Sequence, residues 1–343
     1  MDLSDHDDRV AAVTPARIGR DERGVALLVV LWIFIFLFVV AFDFSAAVRE
    51  EGAAAGRYSE ETAGYFLALA GFQQGLYELV HRPPGPVQGE KRSEGDLFDG
   101  EWRERVLGGG SFRVRFVDEG GKININRVDE QTLRRIFTHL GIEEPRRTIL
   151  VDSIMDWRDP DDLHRINGAE NEYYRSLSPP YTAKNGPFDT VEDLLWVRGM
   201  TAGLFYGTAE RAGPGEDVEK VGLRQIFTVD STIDRVNLRT APAEVLHALL
   251  GMPLEKSRAF VEERKKLSDK TIGDLLPLLG MNAGDPALQM FVFTNPSVAS
   301  IEAEGRAGGV GVPRRIKAVV RPGGNRGFEL VRWVDREAAP PQG

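Results

Sequence analysis

The sequence predicts an α+β fold: a long N-terminal helix packed on a small antiparallel sheet, with a large all-α domain inserted into that sheet. Three observations predict it. An apolar run and then an amphipathic stripe fill residues 25–82. Alternation of apolar and polar residues marks both ends of the remaining chain. Between those ends, about 160 residues place their apolar side chains at spacings of three and four.

Val25 to Phe42 is eighteen residues without a charge. As a helix it measures about 27 Å, close to the ~30 Å of a bilayer core. A soluble helix keeps a polar side, and this run has none. Arg17, Arg20 and Arg23 precede it. That charge bias predicts a cytoplasmic N-terminus, with everything after residue 43 on the far side of the membrane. Residues 1–24 are polar, rich in both acids and arginine, and predict disorder. Beyond the run, Tyr65, Leu69, Phe72, Leu76 and Leu79 form one stripe on a continuing helix. Pro83-Pro84 stops it. Gly52, Gly56, Gly64, Gly71 and Gly75 predict weak points along it. The stripe needs a sheet to cover it.

Glu101–Leu107 and Ser111–Val117 flank three glycines, and Phe112, Val114 and Phe116 alternate with Arg113 and Arg115. This predicts a hairpin with one buried face. The helical period then takes over. It predicts helices at Thr132–Leu140, Arg146–Trp157, Thr190–Val197, Pro242–Leu250, Leu254–Lys266 and Ile272–Leu279. Strand-like alternation returns at Ala299–Glu304, Val312–Arg321 and Phe328–Arg336. The resulting boundaries are a leader at 1–24, a transmembrane half-helix at 25–42 and an amphipathic half at 43–82. The first part of the sheet is 83–126, the inserted helical domain 127–287, the second part of the sheet 288–337 and a tail 338–343.

The insertion carries a weak internal repeat. Asn124 to Leu133 and Asn237 to Leu246 share one spacing, and Leu194 to Gly199 and Leu246 to Gly251 share another. These units look like helix-hairpin-helix modules, which in DNA-binding proteins offer backbone N–H groups to a phosphate. Here the second turn glycine is replaced by Thr201 in one unit and Pro253 in the other. Proline has no N–H to give. With a net charge of −9 and both signs spread along the chain, no basic field invites nucleic acid. A membrane-anchored DNA receptor stays as the alternative reading of these units.

The densest chemistry is Asp152 to Glu172, where seven carboxylates fall within 21 residues. Calcium takes six to eight hard oxygens. Asp159, Asp161, Asp162, Asn167, Glu170 and Asn171 are the candidate ligands, and Gly168 permits a sharp bend between them. The spacing is not that of an EF-hand. A solvated acidic loop neutralised by Arg158 and Arg165 is the plain alternative. The chain has no cysteine, which excludes disulfides and thiol catalysis. Its five histidines are scattered and no nucleophile–base motif appears, so no enzyme is expected.

Arg23-Gly24-Val25 before a long apolar helix resembles the prepilin leader of type IV pilins and type II secretion pseudopilins. The resemblance implies cleavage between Gly24 and Val25 by a membrane prepilin peptidase. Ordinary members carry Glu at the fifth mature position, and Val29 stands there in this chain. That absence, the interrupted sheet and the motifs Asp156-Trp157-Arg158-Asp159-Pro160-Asp161, Gly168-Ala169-Glu170 and Pro179-Pro180-Tyr181 resemble the minor pseudopilin K family of type II secretion. The family implies a non-enzymatic subunit at the tip of the pseudopilus, and bound Ca2+ in the helical domain. It implies a single-pass inner-membrane anchor with the bulk of the chain in the periplasm. The partners it implies are other minor pseudopilins and the major pseudopilin, with Tyr65, Leu69 and Phe72 as the candidate partner-binding residues. No nucleic acid is expected.

Overall fold

The computed structural model describes residues 22–81, 97–213, 216–266, 271–308, 312–323 and 327–335. Most of the predicted leader, most of the Pro- and Gly-rich stretch 85–100 and the C-terminal tail lie outside the described residues. The chain divides into two units, Met1–Ser59 and Glu60–Gly343.

Helix α1 runs from Glu22 to Val80. It passes through Gly24 and Val25, so it begins three residues before the predicted mature start. In the first unit every side chain from Val25 to Glu50 is exposed. This helix is long and apolar enough to cross a membrane.

In the second unit the last turns of α1 lie on a five-stranded antiparallel sheet. Its outer hairpin is β1 (Arg103–Leu107) and β2 (Gly110–Asp118). Three of the glycines expected to be weak points, Gly64, Gly71 and Gly75, form the contact face, while Gly52 and Gly56 face open space. A Cβ on Gly71 would stand 2.9 Å from the Phe112 ring, and one on Gly75 would stand 2.9 Å from Ile301. Small residues there let the helix backbone reach the sheet. The predicted stripe is spent on the same contact. Phe72 is only 5% exposed and packs edge-on against Trp333, with Leu69 beside it. Phe72 and Leu69 are therefore turned inward, which corrects their reading as a partner surface. Tyr65 is half-buried, and its ring meets that of Phe66.

The chain then leaves the sheet. β3 (Ile123–Asn124) is followed by α2 (Glu130–His139) and α3 (Arg146–Arg158). Asp129 caps α2 by accepting from Thr132 N at 2.8 Å. Next come α4 (Asn171–Arg175), α5 (Ala202–Tyr206) and a hairpin of β4 (Thr208–Gly213) and β5 (Glu216–Lys220). Then α6 (Leu223–Ile226) leads into β6 (Phe227–Thr228), which pairs in parallel with β3. A second round follows: β7 (Val236–Asn237), α7 (Ala243–Leu250), α8 (Leu254–Lys266), α9 (Ile272–Leu275) and β8 (Phe291–Val292), with β8 parallel to β7. The sheet closes with β9 (Ala299–Ala307), β10 (Arg314–Pro322) and β11 (Phe328–Asp335), in the order β1-β2-β9-β10-β11.

β2 and β9 are direct neighbours, so the whole helical region is spliced between two adjacent strands. Arg113 faces Glu304 and Arg115 faces Glu302 across that seam, each at 2.6 Å. Opposite charges directly across a ladder fix its register.

Three expectations need correction. The insertion is not all-α: it holds the β4–β5 hairpin and two short parallel pairs. Ile123 and Ile125 belong to the core of the insertion rather than to the sheet, as does Phe291. The inserted part thus starts just after Asp118 and ends just before Ala299, wider than 127–287. Finally, Val191–Trp196 is a 3-10 helix, and Pro277 splits the stretch predicted from Ile272.

The insertion consists of two modules on one plan, sharing one core. Ile125 N donates to Thr228 O in the first and Leu238 N to Val292 O in the second, both at 2.9 Å. Adjacent carboxylates at the end of β2 and just beyond it hold one module each. Asp118 accepts from Asn237 at 2.8 Å and Thr240 at 2.6 Å, both in the second module. Glu119 accepts from Thr228 at 2.6 Å, at the close of the first, and from Ser300 of the sheet.

Candidate metal centre

The loop between α3 and α4 gathers the predicted acidic residues. Asp159 precedes Pro160, which disfavours helix at Asp159, and its backbone is extended (φ −82, ψ 161). The chain turns out there and returns at Gly168. Asp156, in the last turn of α3, is fully buried and points toward the returning strand of loop. Arg165 N donates to both its oxygens, at 3.3 and 3.1 Å. A Cβ on Gly168 would lie 1.8 Å from Asp156 Oδ2. Gly168 is therefore there for space; only a residue without a side chain leaves Asp156 in place.

Glu170 stands before α4 and is 3% exposed, yet neither of its carboxylate oxygens has a hydrogen-bond partner. Asp159 Oδ1 and Asn185 Oδ1 are buried and unpartnered in the same way. Burial first, and then the charges of Asp156, Asp159, Asp162 and Asp161, together push the Glu170 carboxyl up to about 7. Burial likewise lifts Asp156 to about 6, with Asp159 adding to the rise and the Arg165 N–H opposing it. Asp159 is raised by burial and then by Asp161. Each carboxylate thus feels the others. Buried acceptor oxygens without donors, surrounded by like charge, fit a hard cation and little else.

Of the predicted set, Asp159, Asp161 and Asp162 lie near enough to Glu170 for their charges to act on it. Asp161 also closes a turn by accepting from Leu163 N at 2.9 Å. Two predicted ligands are turned elsewhere. Asn167 donates through both N and Nδ2 to Asp152, at 3.3 Å. Asn171 donates to Asp162 at 2.9 Å, while its own oxygen accepts from Ala183 N at 3.0 Å. Both brace the loop. Two residues join the site from outside the predicted set. Asp156 lies one helical turn before Asp159, a spacing that puts both on one face and was legible. Asn185, at φ 47, reaches the loop by donating to Asp161 O at 2.7 Å, a contact no spacing announces. Among the described residues, no group of three or more His, Asp or Glu side chains is placed so that it could hold a metal ion as it stands.

The turns considered for DNA are occupied internally. Met200 N donates to Val197 O and Gly251 N to His247 O. Arg146 donates to Thr201 at 3.1 Å and also lies on Gly199 O. The alternative reading as a DNA receptor gains no support from them.

Fold and site together resemble one class first, the pilin-type subunits: a helix of membrane-crossing length whose end packs on an antiparallel sheet, here enlarged by a two-module insertion bearing an acidic loop. Comparison with known proteins then carries the resemblance further. Residues 115–207 match the family model for type II secretion system protein K. The chain resembles that protein from Klebsiella pneumoniae, at 26% identity over 209 residues, covering 54% of this chain and 60% of the relative. It resembles the Aeromonas hydrophila protein at 26% identity, covering 54% of this chain and 61% of the relative. The chain therefore spans about 60% of the length of these curated relatives. Among solved structures, the GspK-GspI-GspJ complex from the enterotoxigenic Escherichia coli type 2 secretion system shares the fold. Its TM-score is 0.57 at 16% identity, over 85% of this chain and 99% of that one. The resemblance to protein K of type II secretion, a minor pseudopilin, is thus shown by sequence and by fold.

Proposed function

We propose that this chain is the tip subunit of a type II secretion pseudopilus, anchored in the inner membrane with its bulk in the periplasm, where it initiates or caps assembly and supports export across the outer membrane. The observation that carries the reading is the splice of a large two-module domain between neighbouring strands β2 and β9, whose first part falls in residues 115–207, the segment that matches protein K. Such a bulk on one subunit blocks further addition beyond it. Val29 supports the same place. In pilin-like filaments a carboxylate at this position is expected to meet the N-terminal amine of the neighbouring subunit, and a carboxylate in lipid without a partner is costly. A subunit with Val29 needs no neighbour ahead of it. The role is structural rather than catalytic. The partners are other minor pseudopilins, in keeping with the GspK-GspI-GspJ assembly in which the structural relative was solved, and then the major pseudopilin. Prepilin peptidase would cut between Gly24 and Val25, so N-terminal sequencing of membrane-extracted protein should begin at Val25.

The acidic loop serves this reading as a calcium site. Asp159, Asp161, Asp162 and Glu170 would hold the ion, with Asn185 supplying a neutral oxygen. The ion would supply charge neutralisation and a fixed path for the loop. The test of function is co-purification of the full chain in detergent with candidate minor pseudopilins. A chain that stays alone by light scattering with every one of them ends the tip reading.

A further inference from the structure

Arg165 lies at the acidic loop with its guanidinium paired to side-chain carboxylates. Arg158, its neighbour, donates to Ile125 O and Val128 O, each at 2.7 Å, and so braces the module. Arg165 instead stands between two anions. Its Nη1 lies 2.8 Å from Glu130 at the start of α2, and its Nε lies 3.5 Å from Asp156. Its side chain is 38% exposed, so it can move without unpacking a core. Glu170, 3% exposed with both oxygens unpartnered, supplies the separate sign that the loop awaits a ligand.

We propose that Arg165 is a built-in counter-cation of the acidic loop: its charge on Asp156 competes with that of a divalent ion, and when the ion binds it lets go of Asp156 and keeps Glu130. This rests on the calcium reading of the loop. The competition sets the affinity of the site: the loop is partly neutralised before the ion arrives, so the ion gains less by binding. Glu130 is the resting place of the displaced guanidinium. It also accepts from Arg134 at 3.0 Å, and Arg134 in turn reaches Asp152 at 3.0 Å. Loading the loop therefore loads a charge network along α2 and α3. Glu130 is held below the usual carboxylate range by the Arg134 hydrogen bond and by the charge of Arg165, so it stays ionised and can keep the guanidinium.

The test is isothermal titration of calcium chloride into the full chain in detergent, with melting temperatures measured in calcium and in chelator. Arg165→Gln should bind calcium roughly 3- to 10-fold more tightly than wild type, the scale of one partly exposed ion pair. Its melting temperature should fall below that of wild type by more in chelator than in saturating calcium. Arg165→Lys keeps the charge and should bind within about twofold of wild type. Glu130→Gln removes the resting place and should weaken binding roughly 2- to 5-fold. That variant keeps the test open if Arg165→Gln folds poorly. A merely structural Arg165 would lower both melting temperatures alike and leave affinity unchanged or weaker, which overturns the inference while calcium binding by wild type preserves the site. Absence of calcium binding by wild type overturns the site and the inference together.

Discussion

In the first module of the insertion Arg158 closes the second helix by donating to Ile125 O at 2.7 Å; in the second, Arg264 donates to Leu238 O at 2.8 Å. The accepting carbonyls belong to equivalent residues, each following the asparagine of a parallel β-pair. Directly after Arg158 comes Asp159-Pro160-Asp161-Asp162, and directly after Arg264 comes Lys265-Lys266. The scaffold is the same up to the arginine, and the charge that follows is opposite. In the first module the acids converge on one another. In the second, Lys265 reaches out to Glu101, just before β1, at 2.7 Å. The difference teaches that the plan of the module tolerates either sign beyond its arginine. One copy uses that freedom to make a candidate metal site, the other to tie itself to the sheet.

The largest expected effect tests whether the two modules are anchored alike. Asn124 donates to Ser231 O at 2.6 Å in the first; Asn237 donates to Asp118 at 2.8 Å and Thr294 O at 2.9 Å in the second. Both are buried. Asn237→Ala leaves the buried Asp118 carboxylate short of a donor and should cost about 3 kcal/mol, against about 2 kcal/mol for Asn124→Ala, because a group hydrogen-bonded to a charge loses more. Urea unfolding of each variant measures the two. Equal losses would remove the asymmetry between the anchors.

Next comes the metal. A ligand bound to the folded state alone stabilises by about 2.7 kcal/mol at a hundredfold excess over its Kd. The full chain should therefore melt higher in calcium than in chelator. Glu170→Gln should erase most of that gap, and Lys265→Ala should leave it untouched. An identical melting temperature with and without calcium in wild type returns the first module's loop to a solvated acidic turn.

Smaller again is the effect at the paired carboxylates beyond β2. Burial alone would raise Glu119, but Lys122, Lys317 and the hydroxyls of Ser300 and Thr228 overcome it and hold the carboxyl well below the usual range. Asp118 beside it goes the other way, raised by burial despite Thr240, Asn237 and Gly120 N–H. A depressed folded-state value means stability present above the ordinary 4.5 and lost as pH falls through it toward the folded value. Glu119→Gln should cost about 2 kcal/mol at pH 7. It should also flatten the loss of stability below pH 4.5. Asp118 gives no such loss, since its raised value favours the protonated fold at low pH. An unchanged acid limb in Glu119→Gln would show that the first module is not held through this carboxylate.

How much of this could be read beforehand follows the physics of each signal. The long helix, the interrupted sheet and the main helices were legible because burial writes its period into the sequence: Phe112, Val114 and Phe116 point in, while Arg113 and Arg115 point out. The β4–β5 hairpin was not, because Thr208–Gly213 and Glu216–Lys220 are mostly small and charged residues and show no apolar alternation. The parallel pairs were not, because two residues are too short to show any period. In the acidic loop, composition pointed to the carboxylates. It could not say that Asn167 and Asn171 turn their groups to Asp152 and Ala183, since an amide's direction is set by what its neighbours leave unpaired.

The smallest expected effect lies at Lys265. Its ammonium donates to Glu101 at 2.7 Å and to Glu262 at 2.9 Å, while the side chain of Glu101 is 65% exposed. Water competes for such a pair, and salt screens it, so Lys265→Ala should cost less than about 1 kcal/mol. The informative measurement is therefore a double-mutant cycle with Glu101→Ala, run at low and at high salt. A coupling of a few tenths of a kcal/mol that fades with salt is expected for a bond at a solvent-facing surface. Lys265→Asp sharpens the comparison further. It gives the second module the sign that the first carries after its arginine, and sets that charge against Glu101 and Glu262. The substitution should destabilise by more than Lys265→Ala. It should confer no calcium-dependent rise in melting temperature of its own, because one carboxylate after the arginine does not supply the buried oxygens that Glu170, Asp159 and Asn185 bring together. A new calcium response in Lys265→Asp would show that the sign of that single residue, and not the loop beyond it, separates the two modules.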